Sequence, residues 1–349
     1  MKKNSILSVI SGFLTVSLLS LGLSSCSDND ASLNAPVPTA SFTYNVLTPT
    51  SYANSQNLEL INTGSNGMLA YWNIPDIGDF KGNDIKVTIA FAGTYTVNLT
   101  VGGPGGLSDA ITQIVTIDKD NPYAIDPNGI FGILTGVGLG LSQRTWVANP
   151  VLNSCVVAEN YGSAMSQVNG TGGAWWGYGA GDIDPNTGRT GYLDDTYTFT
   201  FGQVGTFAYN DNNTVYLDAG GSGWTSALPA PWNTFGGNTS STDLYNLVPA
   251  LKPWGSGNFT YSIAAAPAGV NGLGLITVTG VGAHFGLQDK TNAGELTDPT
   301  GVSAITYDVL KIDTDQTDAS TGKHYDAIVI GLTYNTAGNV WTFWFRSDR

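Results

Sequence analysis

The run Gly172-Gly173-Ala174-Trp175-Trp176-Gly177-Tyr178-Gly179 sets three bulky rings among residues too small to cover them. Trp224, Trp232 and Trp254 stand in similar Gly-, Pro- and Asn-rich surroundings, with Tyr245 close by. The chemistry open to such rings is stacking. An indole or phenol face takes the apolar C–H face of a sugar, and neighbouring Asn, Asp, Gln or Arg satisfy its hydroxyls. Some of Trp175, Trp176, Tyr178, Trp224, Trp232 and Trp254 are therefore expected to meet a glycan. The rest, with Trp146 and Trp341, would fill a core.

Other chemistry has less to work with. Asp182-Ile183-Asp184-Pro185-Asn186 places three oxygen side chains at alternate positions, which could hold a structural calcium ion. A calcium loop wants Gly at its sixth position and Glu at its twelfth; here those are Thr187 and Leu193, so a polar turn is the competing reading. Asp313, Asp315 and Asp318 form a second loose group with the same alternative. Asp194 and Asp195 open a strand and would either bind hydroxyls or cap a turn. His284 and His324, the only histidines, have no Cys or His partner at zinc spacing. A glycoside hydrolase or lyase needs paired carboxylates. Asp is plentiful, but Glu59, Glu159 and Glu295 are the only glutamates and lie far apart. No nucleophile elbow is present, and Gly138-Leu139-Gly140 lacks the strand–turn–helix setting of a nucleotide loop. No catalytic residue and no cofactor are assigned.

Composition narrows the class. Only 11% of the 349 residues are charged and 45 are Gly, against roughly 25% and ~7% in ordinary globular chains. Good helix formers are scarce, which excludes a coiled coil or helical bundle. A hydrophobic content of 42% supplies enough apolar surface for cores. The net charge of −14 disfavours nucleic acid.

The first residues read as an export signal. Lys2 and Lys3 precede an apolar stretch from Ile6 to Leu23, which ends in Leu23-Ser24-Ser25-Cys26. This is a lipobox: cleavage before Cys26 would leave its thiol to carry a diacylglycerol. The stretch is short and rich in serine, unlike a spanning helix. Loss of Lys2 and Lys3 with the leader takes the net charge to −16. Ser27-Asp28-Asn29-Asp30 resembles the acidic surface-export signal of Bacteroidota lipoproteins, with a plain solvated tether as the alternative. With Cys26 acylated, Cys155 has no disulfide partner.

The elements that would position these groups are strands. We expect a signal peptide over residues 1–25, an acylated Cys and tether over 26–38, and a β-sandwich over 39–118. A polar linker over 119–128 and a larger Trp-rich domain over 129–349 follow. In the first sandwich, Tyr95, Val97, Leu99 and Val101 share one strand face. Trp72 reads as a core anchor. In the second, Trp341, Phe343 and Phe345 alternate with Thr342, Trp344 and Arg346. Nine antiparallel strands there fit a β-sandwich or jelly roll, making the whole chain all-β. Eight of the nine Trp lie after residue 128.

Ser41-Phe42, Tyr71-Trp72-Asn73 and Phe91-Ala92-Gly93-Thr94-Tyr95-Thr96-Val97 together resemble a PKD domain, an Ig-like β-sandwich. The turn after Trp72 departs from that family's usual Trp-Asp-Phe-Gly-Asp-Gly. PKD domains are usually spacers or interaction modules. Further blocks are Leu134-Thr135-Gly136, Arg144-Thr145-Trp146, Trp175-Trp176, Asp194 to Phe199, Tyr307 to Leu310 and Trp341 to Phe345. In this order they resemble PKD-containing, SusE/SusF-type surface glycan-binding lipoproteins of polysaccharide-utilisation loci. The resemblance implies non-catalytic glycan binding on the outer membrane, lipid-anchored beside a SusC/SusD-like transporter complex. A structural or adhesive surface lipoprotein is the alternative.

Overall fold

A computed structural model describes residues 35–65, 69–149, 156–160, 176–178, 190–217, 237–267, 272–288, 302–333 and 339–349. The signal segment, Cys26 and Cys155 lie outside these residues. Among the described residues no helix is long and apolar enough to cross a membrane.

The N-terminal unit is built from eight short strands: β1 (Phe42–Val46), β2 (Leu58–Asn62), β3 (Leu69–Ile74), β4 (Gly78–Lys81), β5 (Asp84–Val87), β6 (Gly93–Gly103), β7 (Gly106–Leu107) and β8 (Ile111–Ile117). They form two antiparallel sheets, β1-β2-β5 and β4-β3-β6 with β7 and β8 beside β6. Strict alternation makes this possible. Ala70, Trp72 and Ile74 of β3 and Val97, Leu99 and Val101 of β6 are buried between the sheets with Leu58, Leu60 and Val87. Trp72 is the anchor expected of it: its ring meets Phe42 edge-on at 5.1 Å, and its Nε1–H donates to the Gly82 carbonyl at 2.7 Å.

The C-terminal unit contains β9 (Gln143–Ala148), β10 (Val156–Asn160), β11 (Trp176–Tyr178), β12 (Thr196–Thr200), β13 (Gly205–Asn210), β14 (Thr214–Leu217), β15 (Gly237–Ser240), β16 (Gly257–Ala265), β17 (Gly274–Thr279), β18 (Ala304–Thr317), β19 (His324–Thr333) and β20 (Asn339–Asp348). Among the described residues three short α-helices accompany them: α1 (Ile130–Thr135), α2 (Thr190–Leu193) and α3 (Ser241–Leu247). The antiparallel β domain is as expected, but its main sheet does not stay open. Neighbours run β9-β12-β13-β16-β17-β18-β19-β20, and β20 returns to β9 through Phe345–Ala148 and Arg346–Val147. Eight strands thus close a barrel, with β20 joining β9 at the seam. The 14-residue β18 bends around the barrel with register shifts at Val309/Lys311 and Asp313/Gln316.

The lumen is solid. Tyr197, Phe199, Phe207, Tyr209, Ile276, Val278, Tyr307, Ile328, Phe343 and Phe345 belong to one buried cluster. The segment from Gly282 to Gln288, after β17, is buried throughout and lies among them. Phe285 stacks on Phe345 with centroids 4.1 Å apart and meets Phe199 at 5.1 Å. Its backbone N–H donates to the Tyr307 hydroxyl at 3.0 Å, and Tyr197 OH donates to the Gly286 carbonyl at 3.0 Å. Two glycines make the insertion possible. Gly282 (φ 84°) and Gly286 (φ 132°) take left-handed backbone, and a Cβ would strike the Pro253 carbonyl or the Phe343 ring respectively.

A buried ion pair rivets one end of the barrel. Arg144 of β9 donates through Nη1 to Asp326 of β19 at 2.7 Å, through Nε to Ser347 Oγ at 3.0 Å, and to the Ser347 and Ile133 carbonyls. The other oxygen of Asp326 accepts from the Asp315 N–H and from Arg349 Nε, each at 2.7 Å. The pair therefore ties together the strands on either side of β20 at the closing seam, and ties them to α1.

The two units touch through aromatic residues. Phe91 of the N-terminal unit lies 5.5 Å from Phe201 and 6.4 Å from Phe131, and Tyr52 OH donates to the Val137 carbonyl at 3.2 Å.

Candidate functional site

Beyond the closed barrel, two strands extend the sheet. β10 pairs with the part of β20 that β9 leaves free, from Val156–Phe343 to Asn160–Asn339. The three-residue β11 pairs with β10 and forms the sheet edge, with Trp176 opposite Ala158 and Tyr178 opposite Val156. Trp176 and Tyr178 stand two positions apart on this edge, register positions of the same parity. Of the proposed ligand-binding aromatics, these two are placed beside one another on a described element. Trp175, Trp224 and Trp232 lie outside the described residues, as do the calcium candidates Asp182, Asp184 and Asn186.

Trp254 corrects the expectation made for it. It ends a 3-10 turn over Pro249–Trp254, is fully buried, and stacks on His284 at 5.6 Å. With no exposed face it cannot be a platform. Its Gly- and Pro-rich neighbourhood packs down onto the barrel end instead of opening a loop. Tyr245, the lesser candidate, packs against the same core from α3.

Asp195 likewise belongs to the interior and not to a ligand surface. It is fully buried at the start of β12. One carboxylate oxygen accepts from Tyr209 OH at 3.0 Å, and Gln288 donates to the same hydroxyl. The other oxygen has no hydrogen-bond partner among the described residues. Burial raises the Asp195 pKa well above the usual carboxylate range. The Tyr209 hydrogen bond offsets this in part, and the charges of Asp194 and Asp211 add to it. Folding therefore makes Asp195 hold a proton that the unfolded chain releases above about pH 3.9. Its contribution to stability falls as pH rises through that window. Asp195→Asn is expected to be more stable than wild type at pH 8, by ~1–2 kcal/mol, with the gap closing near pH 4. Urea midpoints at the two pH values measure this, and an Asn variant weaker at pH 8 contradicts it.

His284 is neutral: burial pulls its pKa down to about 4, and its Nδ1 lies 2.8 Å from the Gly282 carbonyl. Asp313, Asp315 and Asp318 do not converge on a common point. Asp313 pairs with Lys311, Asp315 with His324 and Arg349, and Asp318 with Arg346. Among the described residues no group of three or more metal-ligating side chains is assembled.

Comparison with known proteins adds little. No family model matches the chain, and no curated protein does. Among solved structures, it is similar to the PKD1 domain of the Vibrio cholerae metalloprotease PrtV, at 24% identity over 24% of this chain and 100% of that one, TM-score 0.20. The PKD1 domain of Vibrio anguillarum Epp is 20% identical over 24% of this chain and 96% of that one, TM-score 0.20. A third similarity is to a structure described as the basis for promiscuous specificity of carbohydrate-binding modules of the β-sandwich superfamily. It covers 90% of this chain and 92% of that one at 13% identity, TM-score 0.21. The strand pairings above, not these scores, establish the fold.

Proposed function

We propose that this protein is a non-catalytic, lipid-anchored surface protein that captures a polysaccharide by stacking its sugars on aromatic rings. In this reading Cys26 carries the lipid in the outer membrane, and Trp175, Trp176, Tyr178, Trp224 and Trp232 supply platforms. A SusC/SusD-like transporter complex is the partner that takes up the captured glycan. The observation that supports it most is the position of Trp176 and Tyr178 on the edge strand β11, outside a barrel whose lumen is already filled by Phe285 and its neighbours. With that cluster in the lumen, recognition falls to the sheet edge and the loops around it.

Calorimetry and affinity gels against β-glucans, mannans and xylans test the reading. Trp176→Ala is expected to weaken binding about tenfold, the scale of a lost aromatic anchor, while leaving the thermal midpoint in place. Absence of binding to every glycan would sink the proposal. Release of reducing sugar would replace it with a hydrolase.

A further inference from the structure

The sheet β4-β3-β6-β8 has one face in the N-terminal core; the opposite face carries an ordered polar row. Asn73 Nδ2 donates to Asp79 Oδ1 at 2.8 Å, Asn98 Nδ2 donates to Asn73 Oδ1 at 3.1 Å, and Thr112 Oγ1–H donates to Asn98 Oδ1 at 2.7 Å. These four residues sit directly opposite one another on four adjacent strands. Each bond consumes one amide hydrogen or hydroxyl hydrogen. The second hydrogen of each Asn amide, the other oxygen of Asp79 and the lone pairs of Thr112 remain for a ligand.

The next row along β3 holds a partly exposed ring. Tyr71 is 38% exposed and lies opposite Thr100 and Lys81, whose Nζ is 5.6 Å from the ring centroid. The ring leans over Gly102: a Cβ there would come within 3.4 Å of Tyr71 Cε2 and 3.5 Å of Leu107. Leu69 and Leu107, both exposed, close that side.

This is the layout a neutral polyol requires. An aromatic face stands beside a straight row of alternating donors and acceptors spaced ~4.8 Å apart by the sheet. The row is held in place by its own hydrogen bonds, so little ordering is left to be done on binding. Charge points the same way: the outward positions of these strands carry one acid (Asp79) and one base (Lys81), no excess of either sign to recruit an ionic partner. A protein interface would instead put apolar side chains at the centre and polar ones at the rim; here the amides occupy the middle of the sheet.

We infer that this face is a second carbohydrate-binding surface, with Tyr71 as platform and Asp79, Asn73, Asn98 and Thr112 as hydroxyl partners. The N-terminal unit is then a binding module as well as a spacer. The inference rests on the glycan-binding reading above and adds to it a site on the other unit. Two sites on one chain raise avidity for a long polymer beyond either alone.

The full-length protein and the same glycan panel test it. Tyr71→Ala is expected to weaken binding of long-chain glycan about tenfold. Tyr71→Phe, which keeps the ring, should bind as wild type does, and Asn98→Ala should weaken binding without moving the thermal midpoint. Wild type that binds while Tyr71→Ala binds equally well overturns this inference alone. Wild type that binds nothing overturns the function on which it rests. Self-association that Tyr71→Ala abolishes, with glycan binding untouched, would overturn it in favour of an interface between copies.

Discussion

Phe285→Ala is expected to leave the C-terminal barrel close to unfolding. Phe285 is fully buried, stacked on Phe345, and within 5.2 Å of Tyr197 and 5.1 Å of Phe199. Truncating a buried Phe costs about 3–5 kcal/mol, against a total stability of ~5–15 kcal/mol for a typical domain. Collapse would not relieve the cavity here. Its walls are strands of a closed sheet, and the loop carrying Phe285 is held by Tyr197 and Tyr307. Urea denaturation measures the loss. Val281→Ala, in the same loop but 46% exposed, is the control and should change stability by less than about 0.5 kcal/mol. A Phe285→Ala loss as small as the control's would mean the segment does not fill the lumen.

Asp326→Ala should be nearly as damaging, by a different route. It leaves the Arg144 guanidinium buried with no counter-charge, a defect of about 3–5 kcal/mol. Arg144→Met combined with Asp326→Leu should recover most of that, because the apolar pair needs no desolvation. The acid response separates this from a packing effect. Burial alone would raise the Asp326 pKa. Hydrogen bonds from the Asp315 N–H, Arg144 and Arg349, with the Arg144 charge, outweigh it and hold the carboxyl below its usual value. A depressed folded-state pKa gives stability that is complete above the unfolded value of about 3.9. That stability is lost as pH falls through the folded value. Wild type should therefore weaken below about pH 4, and the Met/Leu double variant should be less sensitive there. Urea midpoints from pH 3 to pH 7 supply the test, and parallel acid curves would refute the role given to Asp326.

Much of the fold is written in local pattern. The alternation of β3 and β6 names their buried faces, whereas β20 is buried on both, and Trp72 is the core anchor that the pattern around it implies. The same alternation puts Tyr71 opposite to Trp72, on the solvent side. What local pattern does not carry is which strand meets which. Period-two alternation is common to sandwich and barrel, so closure through Phe345 and Ala148 is invisible until the pairing is seen. Arg144 and Asp326 are 182 positions apart, and no spacing rule joins them. The segment 282–288 carries no strand pattern, yet Gly282 and Gly286 flanking Ala283-His284-Phe285 mark a close approach of backbone. Trp254 shows the reverse error: glycine and proline beside a Trp indicate irregular backbone, not exposure.

The closing seam also dictates an order of events. Contacts between residues 147–148 and 345–346 span most of the C-terminal unit, so they form at a high entropic cost and late. Until β20 has been made and docked, the growing sheet exposes two unpaired rims, β9 and β19, each able to recruit a strand from another molecule. This is the interval in which a holding chaperone would matter most, and its length is set by how soon β20 docks on β9 once the strands between them have paired.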